Sequence, residues 1–441
     1  MSGSSLLAAV LVLKGATVHT AEGPAVPNGV VVIENGKISA VGGPGTPVPE
    51  NAEVVDLAGR HVAPAFFTPA SNIGLSEIEA VRATNDVTEI AEINPEARPE
   101  VAANLDSEAL PVTRSNGVLF AALVPRGSVL PGSAAVLTLE GWTRDDACLK
   151  CPAALVLEWP EMMIDRRPDA RPSAKAQERK RDDALRTIRE AFRSAAAWRK
   201  AKAAAGQPGV PAHDDALPMA ALVPALDGKV PLLIRANKKS QMEAALRFVE
   251  EELRNEKVRV VFLGGHDAPT LAARLVERKI PVIVDGTLRL PLRTDEAYDA
   301  PYALPGELAR AGVLVAVTDG SRSAAQVRDL PNHAAIAAAY GLDPLEALRA
   351  VTLNPARIYG LDDRIGSIAP GKDASLSVWT GDPLQITSVL VGLYRNGESL
   401  DLADRHKRLW ERYRNRPKPA TAAAPPAAPR SPGGEPPPTP R

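Results

Sequence analysis

Aromatic and cysteine residues are scarce in this chain of 441 residues, and its net charge is close to zero. Aromatic side chains make up 4% of the sequence, which argues against a surface that stacks nucleic-acid bases. A formal net charge of −1 creates no overall field that would attract nucleic acid or an anionic membrane. We therefore expect neither kind of partner.

The only two cysteines, Cys148 and Cys151, lie in "DACLKCP". A CxxC pair can be a redox motif or half of a zinc site. No second CxxC and no nearby histidine completes a zinc set, and two ligands do not hold zinc. We expect two thiols in a loop.

No hydrophobic run is long enough to cross a bilayer. The first residues, "MSGSSLLAAVLVLKGATV", contain a short apolar run that no Lys or Arg precedes and no small-residue cleavage site follows. They make a poor signal peptide. The sequence as given predicts a cytoplasmic protein, or a periplasmic one if an upstream leader was removed.

Proline is abundant, with 41 residues, and part of this excess lies at the end of the chain. Residues 416–441 are rich in Pro and Ala and have no apolar periodicity. Such a segment cannot bury enough surface to offset its chain entropy. We predict disorder with polyproline II character, with a Pro-rich ligand for a partner domain as the alternative reading.

Short strands with turn signals fill residues 9–60. The runs Val30–Ile33 and Lys37–Val41 flank Asn35-Gly36, and this dipeptide between two β-rich runs is a strong hairpin signal. Strand-and-turn character returns after residue 365. A helix precedes it in "TLNPARIYGL", with Asn354 as the expected N-cap.

Apolar strands alternate with amphipathic helices in the middle of the chain, which indicates a parallel sheet covered on both faces. The number of strands favours a (β/α)8 barrel, with an open doubly wound sheet as the alternative. The candidate strands are "GVLFAALVP", "AALVLEWP", "KVPLLIRA", "VRVVFL", "IPVIVD" and "VLVAVTD". Residues 165–207 read as a charged surface helix whose apolar stripe includes Ile188 and Phe192.

The layout is therefore β, then barrel, then β. The predicted units are residues 1–60 and 365–400 (two halves of one β-sandwich), 61–364 (the barrel, with the helical insertion 165–207), 401–415 (a helical extension) and 416–441 (the tail).

Four stretches are informative together: "GKISAVG" before "VVDLAGRHVAP", then "FFTPASNIGL", "VTLNPARIYGL" and "GSIAPGKDASLSVW". With them the chain resembles the amidohydrolase superfamily, in its imidazolonepropionase-like branch. The resemblance implies a TIM barrel beside a small β-sandwich. It also implies one or two divalent metals at the barrel mouth, where a metal lowers the pKa of bound water and polarises a carbonyl.

The family's metal ligands are His-x-His on strand 1, one His each on strands 5 and 6, and an Asp on strand 8. In this chain Ala70 and Asn72 stand at the strand-1 positions and Arg235 at the strand-5 position. Leu263 or Gly264 falls at the strand-6 position, and His266 follows it. Only Asp319, in "VTDGS", matches its family role.

Most of the ligand set is thus replaced, and we predict no cofactor. Zinc or another divalent metal is expected only if the site is divergent rather than lost, using His266, Asp285 and Asp319. Arg235 is the predicted ion-pair partner of Asp319, because a buried carboxylate without its metal needs a counter-charge. The alternative is that Arg235 reaches solvent.

These replacements predict a non-catalytic amidohydrolase homologue that acts in binding or assembly. We expect a homo-oligomer, or a hetero-oligomer with an intact amidohydrolase. The alternative is an active hydrolase of carbon–nitrogen bonds other than peptide bonds, with a divergent metal site. The substrate is unreadable from sequence, since specificity lies in loops that vary freely within one fold.

Overall fold

Two eight-stranded sheets organise the computed structural model, which describes residues 10–127, 129–205, 207, 214–320 and 323–417. Both ends of the chain build one sheet, and the segment between them builds the other. The predicted order of β, barrel and β is confirmed. The predicted disordered tail lies almost wholly outside the described residues.

The terminal sheet contains both end segments, as predicted. Strands β5 and β14 pair antiparallel and join the two ends of the chain. Since β5 belongs to this sheet, the sheet extends beyond the expected boundary at residue 60. Its strands are β1 Leu11–Val18, β2 Val26–Glu34, β3 Lys37–Gly42, β4 Glu53–Asp56, β5 His61–Pro64, β14 Leu376–Trp379, β15 Leu390–Arg395 and β16 Glu398–Ser399.

The hairpin between β2 and β3 is also confirmed. Glu34 pairs with Lys37 across the turn. Asn35 and Gly36 both have positive φ, at 52° and 76°, as a two-residue type I′ turn requires.

The second sheet is a nearly closed barrel with the strand order β13-β12-β11-β10-β9-β8-β7-β6. Strands β9 to β13 are parallel, and so are β6 and β7. The strands are β6 Phe66–Ser71, β7 Val118–Leu123, β8 Gly132–Thr138, β9 Cys148–Glu158, β10 Leu232–Ala236, β11 Val260–Gly264, β12 Val282–Val284 and β13 Val315–Val317.

One barrel strand departs from the predicted pattern. The third strand, β8, runs antiparallel to both of its neighbours. The links on either side of it are short, and a parallel crossover needs a dozen or more residues. The barrel is therefore TIM-like but not all-parallel.

Helices cover the barrel and extend beyond it. The long helix α4 lies within the predicted charged insertion and buries Ile188 and Phe192. No helix in the described part of the chain is both long and apolar enough to span a membrane. The helices are α1 Pro99–Ala102, α2 Ala109–Arg114, α3 Arg144–Ala147, α4 Ala174–Ala204, α5 Leu217–Leu226, α6 Lys239–Glu252, α7 Ala272–Glu277, α8 Ala300–Arg310, α9 Leu330–Ala339, α10 Pro344–Ala350, α11 Leu353–Tyr359 and α12 Arg405–Arg414.

Two local predictions are wrong. Cys148 and Cys151 form a disulfide at the start of β9, so they are not two thiols in a loop. Asn354 does not cap α11, whose N-cap is Thr352. Its side-chain amide instead donates to the Val315 carbonyl at 2.8 Å, which ties this helix to β13.

Candidate functional site at the barrel mouth

Five charged side chains meet where the barrel strands end. Glu158 and Arg235 lie at the ends of β9 and β10. Asp285 follows β12, Asp319 follows β13, and Arg126 follows β7. Active sites of TIM barrels lie at this carboxyl-terminal face, so these residues define the candidate site, called the barrel mouth below.

A cavity of about 190 Å³ opens at the barrel mouth. Asp285, Asp319 and His333 line it, together with Asn237 and Arg289. A larger cavity of about 790 Å³ lies between the loop after β1 and helices α9 and α10. That cavity is mostly apolar and holds no comparable group of charges, so we place the candidate site at the smaller one.

Asp319 is a buried carboxylate that helps to close the barrel. Thr68 on β6 donates to its Oδ1 at 3.0 Å, and the Thr318 hydroxyl lies equally close. The Thr318 hydroxyl can also donate to the Ala70 carbonyl, and thus links β13 to β6. Burial raises the pKa of Asp319 to about 6, against the opposing effect of these hydroxyls.

Arg235 does not pair with Asp319. Its Nε donates to Glu158 Oε1 at 2.7 Å. Arg235 and Glu158 are register neighbours on adjacent parallel strands, which places their side chains next to each other. The predicted ion pair is therefore wrong. The sequence does contain a signal for this partner. Two consecutive candidate strands, "AALVLEWP" and "KVPLLIRA", carry Glu158 and Arg235 near their ends.

Arg126 is a charged group of the barrel mouth that sequence reasoning missed. Burial lowers the pKa of its guanidinium, and the nearby positive charge of Arg235 lowers it further. Asp285, Glu158 and Asp319 lie close enough to act in the opposite direction. The only sequence signal was its position shortly after a buried strand.

His333, on α9, was missed as well. Its Nδ1 accepts a hydrogen bond from the Thr287 backbone N–H at 2.9 Å, so in the neutral ring Nε2 carries the proton. Burial lowers the pKa of His333 to about 4. The side chain is therefore a neutral hydrogen-bond donor beside Asp285 and Asp319.

His266 belongs to a hydrogen-bonded group of side chains beside the barrel mouth. Its Nε2 lies 2.6 Å from Glu296 Oε1, and its Nδ1 lies 3.1 Å from the Arg289 guanidinium. Glu296 also pairs with Arg293. Both ring nitrogens of His266 thus have side-chain partners in this structure.

The residues that the resemblance aligns with metal ligands have the following surroundings. Ala70 is completely buried and has no side-chain donor atom, and Asn72 is 6% exposed. Gly264 has φ +106°, and a Cβ there would lie 2.5 Å from Asn237 Oδ1. Within the described ranges, no three His, Cys, Asp or Glu side chains are grouped so that they could hold a metal ion.

The other histidines lie away from the barrel mouth. His19 and His61 of the terminal sheet contact each other, with Nε2 of the first 2.8 Å from Nδ1 of the second. His406 on α12 contacts Arg328. His213 lies outside the described residues.

Comparison with known sequences gives a consistent family. The model described as "Amidohydrolase family" matches residues 237–401. Amidohydrolase tasK of Hapsidospora irregularis is 27% identical over 404 residues, which cover 84% of this chain and 39% of that protein. Adenine deaminase of Nitratidesulfovibrio vulgaris is 42% identical over 82 residues, 18% of this chain and 14% of that protein. The chain thus spans less than half the length of these relatives.

Solved structures agree with this comparison. An amidohydrolase from Thermotoga maritima MSB8 superimposes with a TM-score of 0.78 at 28% identity, covering 89% of this chain and 99% of that one. A prolidase complexed with N-methylphosphonate-L-proline has a TM-score of 0.53 at 17% identity over 89% of this chain and 99% of that one, and supports the fold alone. The chain belongs to the amidohydrolase superfamily.

Proposed function

We propose that this protein is a non-catalytic amidohydrolase, of the imidazolonepropionase-like branch, that acts in binding or assembly. The observation that best supports this proposal is which residues lie at the ends of β10 and β11. Arg235 places a permanent cation, paired with Glu158, where a metal-binding histidine would stand. Gly264 leaves no room for a side chain beside Asn237.

Metal analysis of the purified protein tests this proposal. After incubation with zinc, iron or nickel and gel filtration, we expect well under one metal ion per chain. We also expect no hydrolysis of amides, ureas or amidines above the rate with heat-inactivated protein. A stoichiometric metal together with turnover would overturn the proposal.

We further propose that the chain works as a subunit, in a homo-oligomer or with an intact amidohydrolase. A large buried core supports this, because the barrel is well packed although its metal positions are replaced. Light scattering on a gel-filtration column, at micromolar concentration, should give a mass above that of one chain. A monomer that co-purifies with no partner would contradict this part.

The alternative function is an active hydrolase of carbon–nitrogen bonds other than peptide bonds. The presence of Asp285, Asp319 and His333 around one cavity favours it. Turnover that Asp319→Asn abolishes, in a protein that retains its stability, would support this alternative and exclude the non-catalytic proposal.

The disulfide bears on the location of the protein. Disulfides persist in oxidising compartments and are rare in the cytosol. We therefore favour the periplasmic reading over the cytoplasmic one. Thiol titration of denatured protein from a periplasmic extract should find no free Cys148 or Cys151, whereas two free thiols would count against this location.

A further inference from the structure

Four buried polar atoms at the barrel mouth have no hydrogen-bond partner among the described residues. Two are donors, Nη2 of Arg126 and Nη2 of Arg235. Two are acceptors, Oδ1 of Asp285 and Oδ1 of Asn72. Buried polar groups are nearly always paired, and leaving one unpaired destabilises the folded protein. A group of four at one end of the barrel indicates a partner that binds there.

The two guanidinium groups also repel each other. Each lies within electrostatic range of the other. Glu158 offsets the charge of Arg235 through the Nε side only, and leaves its Nη2 unused. Arg126 makes no ion pair with a carboxylate in the described part of the chain. An anion bound to both groups would use the free N–H donors and reduce the repulsion.

We propose that the barrel mouth binds a small carboxylate ligand, whose carboxylate pairs with Arg126 and Arg235. The carboxylate would occupy the end of the barrel where the family places its metal. Asp285 and Asn72 then accept hydrogen bonds from an N–H or O–H group on the same ligand. This inference rests on the proposed non-catalytic function and names the chemical class that such a binding protein would take.

The charges around the barrel mouth and the small cavity there favour a small carboxylate over a phosphate or a neutral amide. Arginine binds carboxylates through parallel N–H donors. A doubly charged phosphate would meet the carboxylates of Asp285 and Asp319, while a neutral amide would leave the guanidinium repulsion in place. The cavity beside Asp285 has a volume of about 190 Å³, which is below the usual range for drug-sized ligands, so the part of the ligand that reaches Asp285 is small.

The experiment uses the full-length protein treated with EDTA, and carbon-13 NMR of labelled glycine, acetate and acetamide. Glycine carries a carboxylate and N–H donors, acetate carries the carboxylate alone, and acetamide is its neutral isostere. We expect saturable line broadening for glycine and acetate, with tighter binding for glycine, and none for acetamide. Equal broadening by acetate and acetamide would overturn the proposal.

Variants assign the site. Arg126→Gln should weaken glycine binding at least tenfold. The double variant Glu158→Gln with Arg235→Gln should do the same, and it removes the ion pair as a unit so that no buried charge is left behind. Arg193→Gln is the matched control, because Arg193 is an exposed arginine paired with Glu252, and it should bind like wild type.

If Arg126→Gln does not fold, Arg126→Lys keeps the charge but loses the planar fork, and should still weaken binding several-fold. Binding that is unchanged in all the mouth variants would contradict the inference. The metal content of the same samples distinguishes a failure of the proposed non-catalytic function from a failure of the carboxylate-binding proposal. Zinc-dependent turnover would overturn the proposed function, whereas absent carboxylate binding in metal-free protein would overturn only this inference.

Discussion

Asp319, which the family resemblance predicts to be a retained metal-site carboxylate, also has a structural role. It is 4% exposed, and it accepts a hydrogen bond from Thr68 on β6. The hydroxyl of Thr318, one residue past β13, lies 3.0 Å from the same oxygen. Backbone pairing closes the rest of the barrel wall but does not join β6 to β13. A carboxylate here therefore has a reason to be retained that is independent of catalysis.

The ion pair between Arg235 and Glu158 gives the first prediction. Both side chains are mostly buried, at 16% and 24% exposure. Removing one partner of such a pair leaves a poorly solvated charge. Arg235→Gln should lower the free energy of unfolding by about 2 kcal/mol, measured by urea denaturation.

The double variant Glu158→Gln with Arg235→Gln should recover part of this loss, because neither charge then remains. Arg193 serves as the control, because its side chain is 68% exposed where it pairs with Glu252, and Arg193→Gln should change stability by less than about 0.5 kcal/mol. A double variant less stable than Arg235→Gln alone would contradict the buried-pair interpretation.

His333 gives a prediction on pH. Its pKa is lowered to about 4 in the folded protein, whereas unfolded histidine titrates near 6.5. The unfolded state therefore binds a proton first, so the stability due to neutral His333 is fully present above pH 6.5 and falls as the pH drops towards 4. The loss by pH 4.5 should be about 2 kcal/mol.

Asp319 opposes this trend. Its pKa is raised in the folded protein, so the folded state binds a proton before the unfolded state does. Protonation below about pH 6 therefore removes the free-energy cost of burying a charged carboxylate. The contribution of His333 is therefore measured as the difference in the free energy of unfolding between wild type and His333→Gln. The stability advantage of wild type over His333→Gln should shrink between pH 7.5 and 4.5, and a difference independent of pH would refute it. Arg289, Asp285 and Asp329 line the same cavity and remain in both proteins.

At the scale of the elements, sequence patterns predicted most strands and helices of the barrel but not the direction of β8. The parallel strands β10 to β13 are continuous apolar runs followed by amphipathic helices, and this pattern is local. The direction of β8 depends on link length, and "GSAAVLT" was not recognised as a strand at all. Side-chain partners such as Glu158 depend on strand register, which periodicity does not specify.

The end of β11 yields the next prediction. Gly264 adopts φ +106°, and an added Cβ would lie 2.5 Å from Asn237 Oδ1. Gly264→Ala thus incurs both backbone strain and a clash, and should cost about 2–4 kcal/mol. Gly341 is the matched control, because its φ is +103° and an added Cβ would meet nothing within 4 Å.

Gly341→Ala should therefore lose at least about 1 kcal/mol less than Gly264→Ala. Thermal or urea unfolding measures both, and adding Asn237→Ala to Gly264→Ala should relieve part of the cost. Equal losses at the two glycines would mean that space at the end of β11 does not limit the side chain there. The proposal that this position has no room for a metal-binding side chain would then fail.

At the scale of the whole molecule, the terminal sheet and the barrel are joined by large side chains. Trp379 on β14 is 4% exposed and its ring lies 5.6 Å from that of Phe66 on β6. Gly117, just before β7, leaves room for the indole, because a Cβ there would lie 2.5 Å from its Cζ2. The sheet and the barrel should consequently unfold together.

Replacing Trp379 tests this connection. Trp379→Ala removes a buried aromatic side chain, and substitutions of this kind cost about 3–5 kcal/mol. Urea unfolding followed by circular dichroism should show this loss, and amide exchange should show that the strands of the terminal sheet and of the barrel are both less protected. Trp142→Ala is the control, because Trp142 is 95% exposed, and it should change stability by less than about 0.5 kcal/mol. If exchange accelerates in the terminal sheet alone, the two units unfold separately, and the joint between them is weaker than its packing indicates.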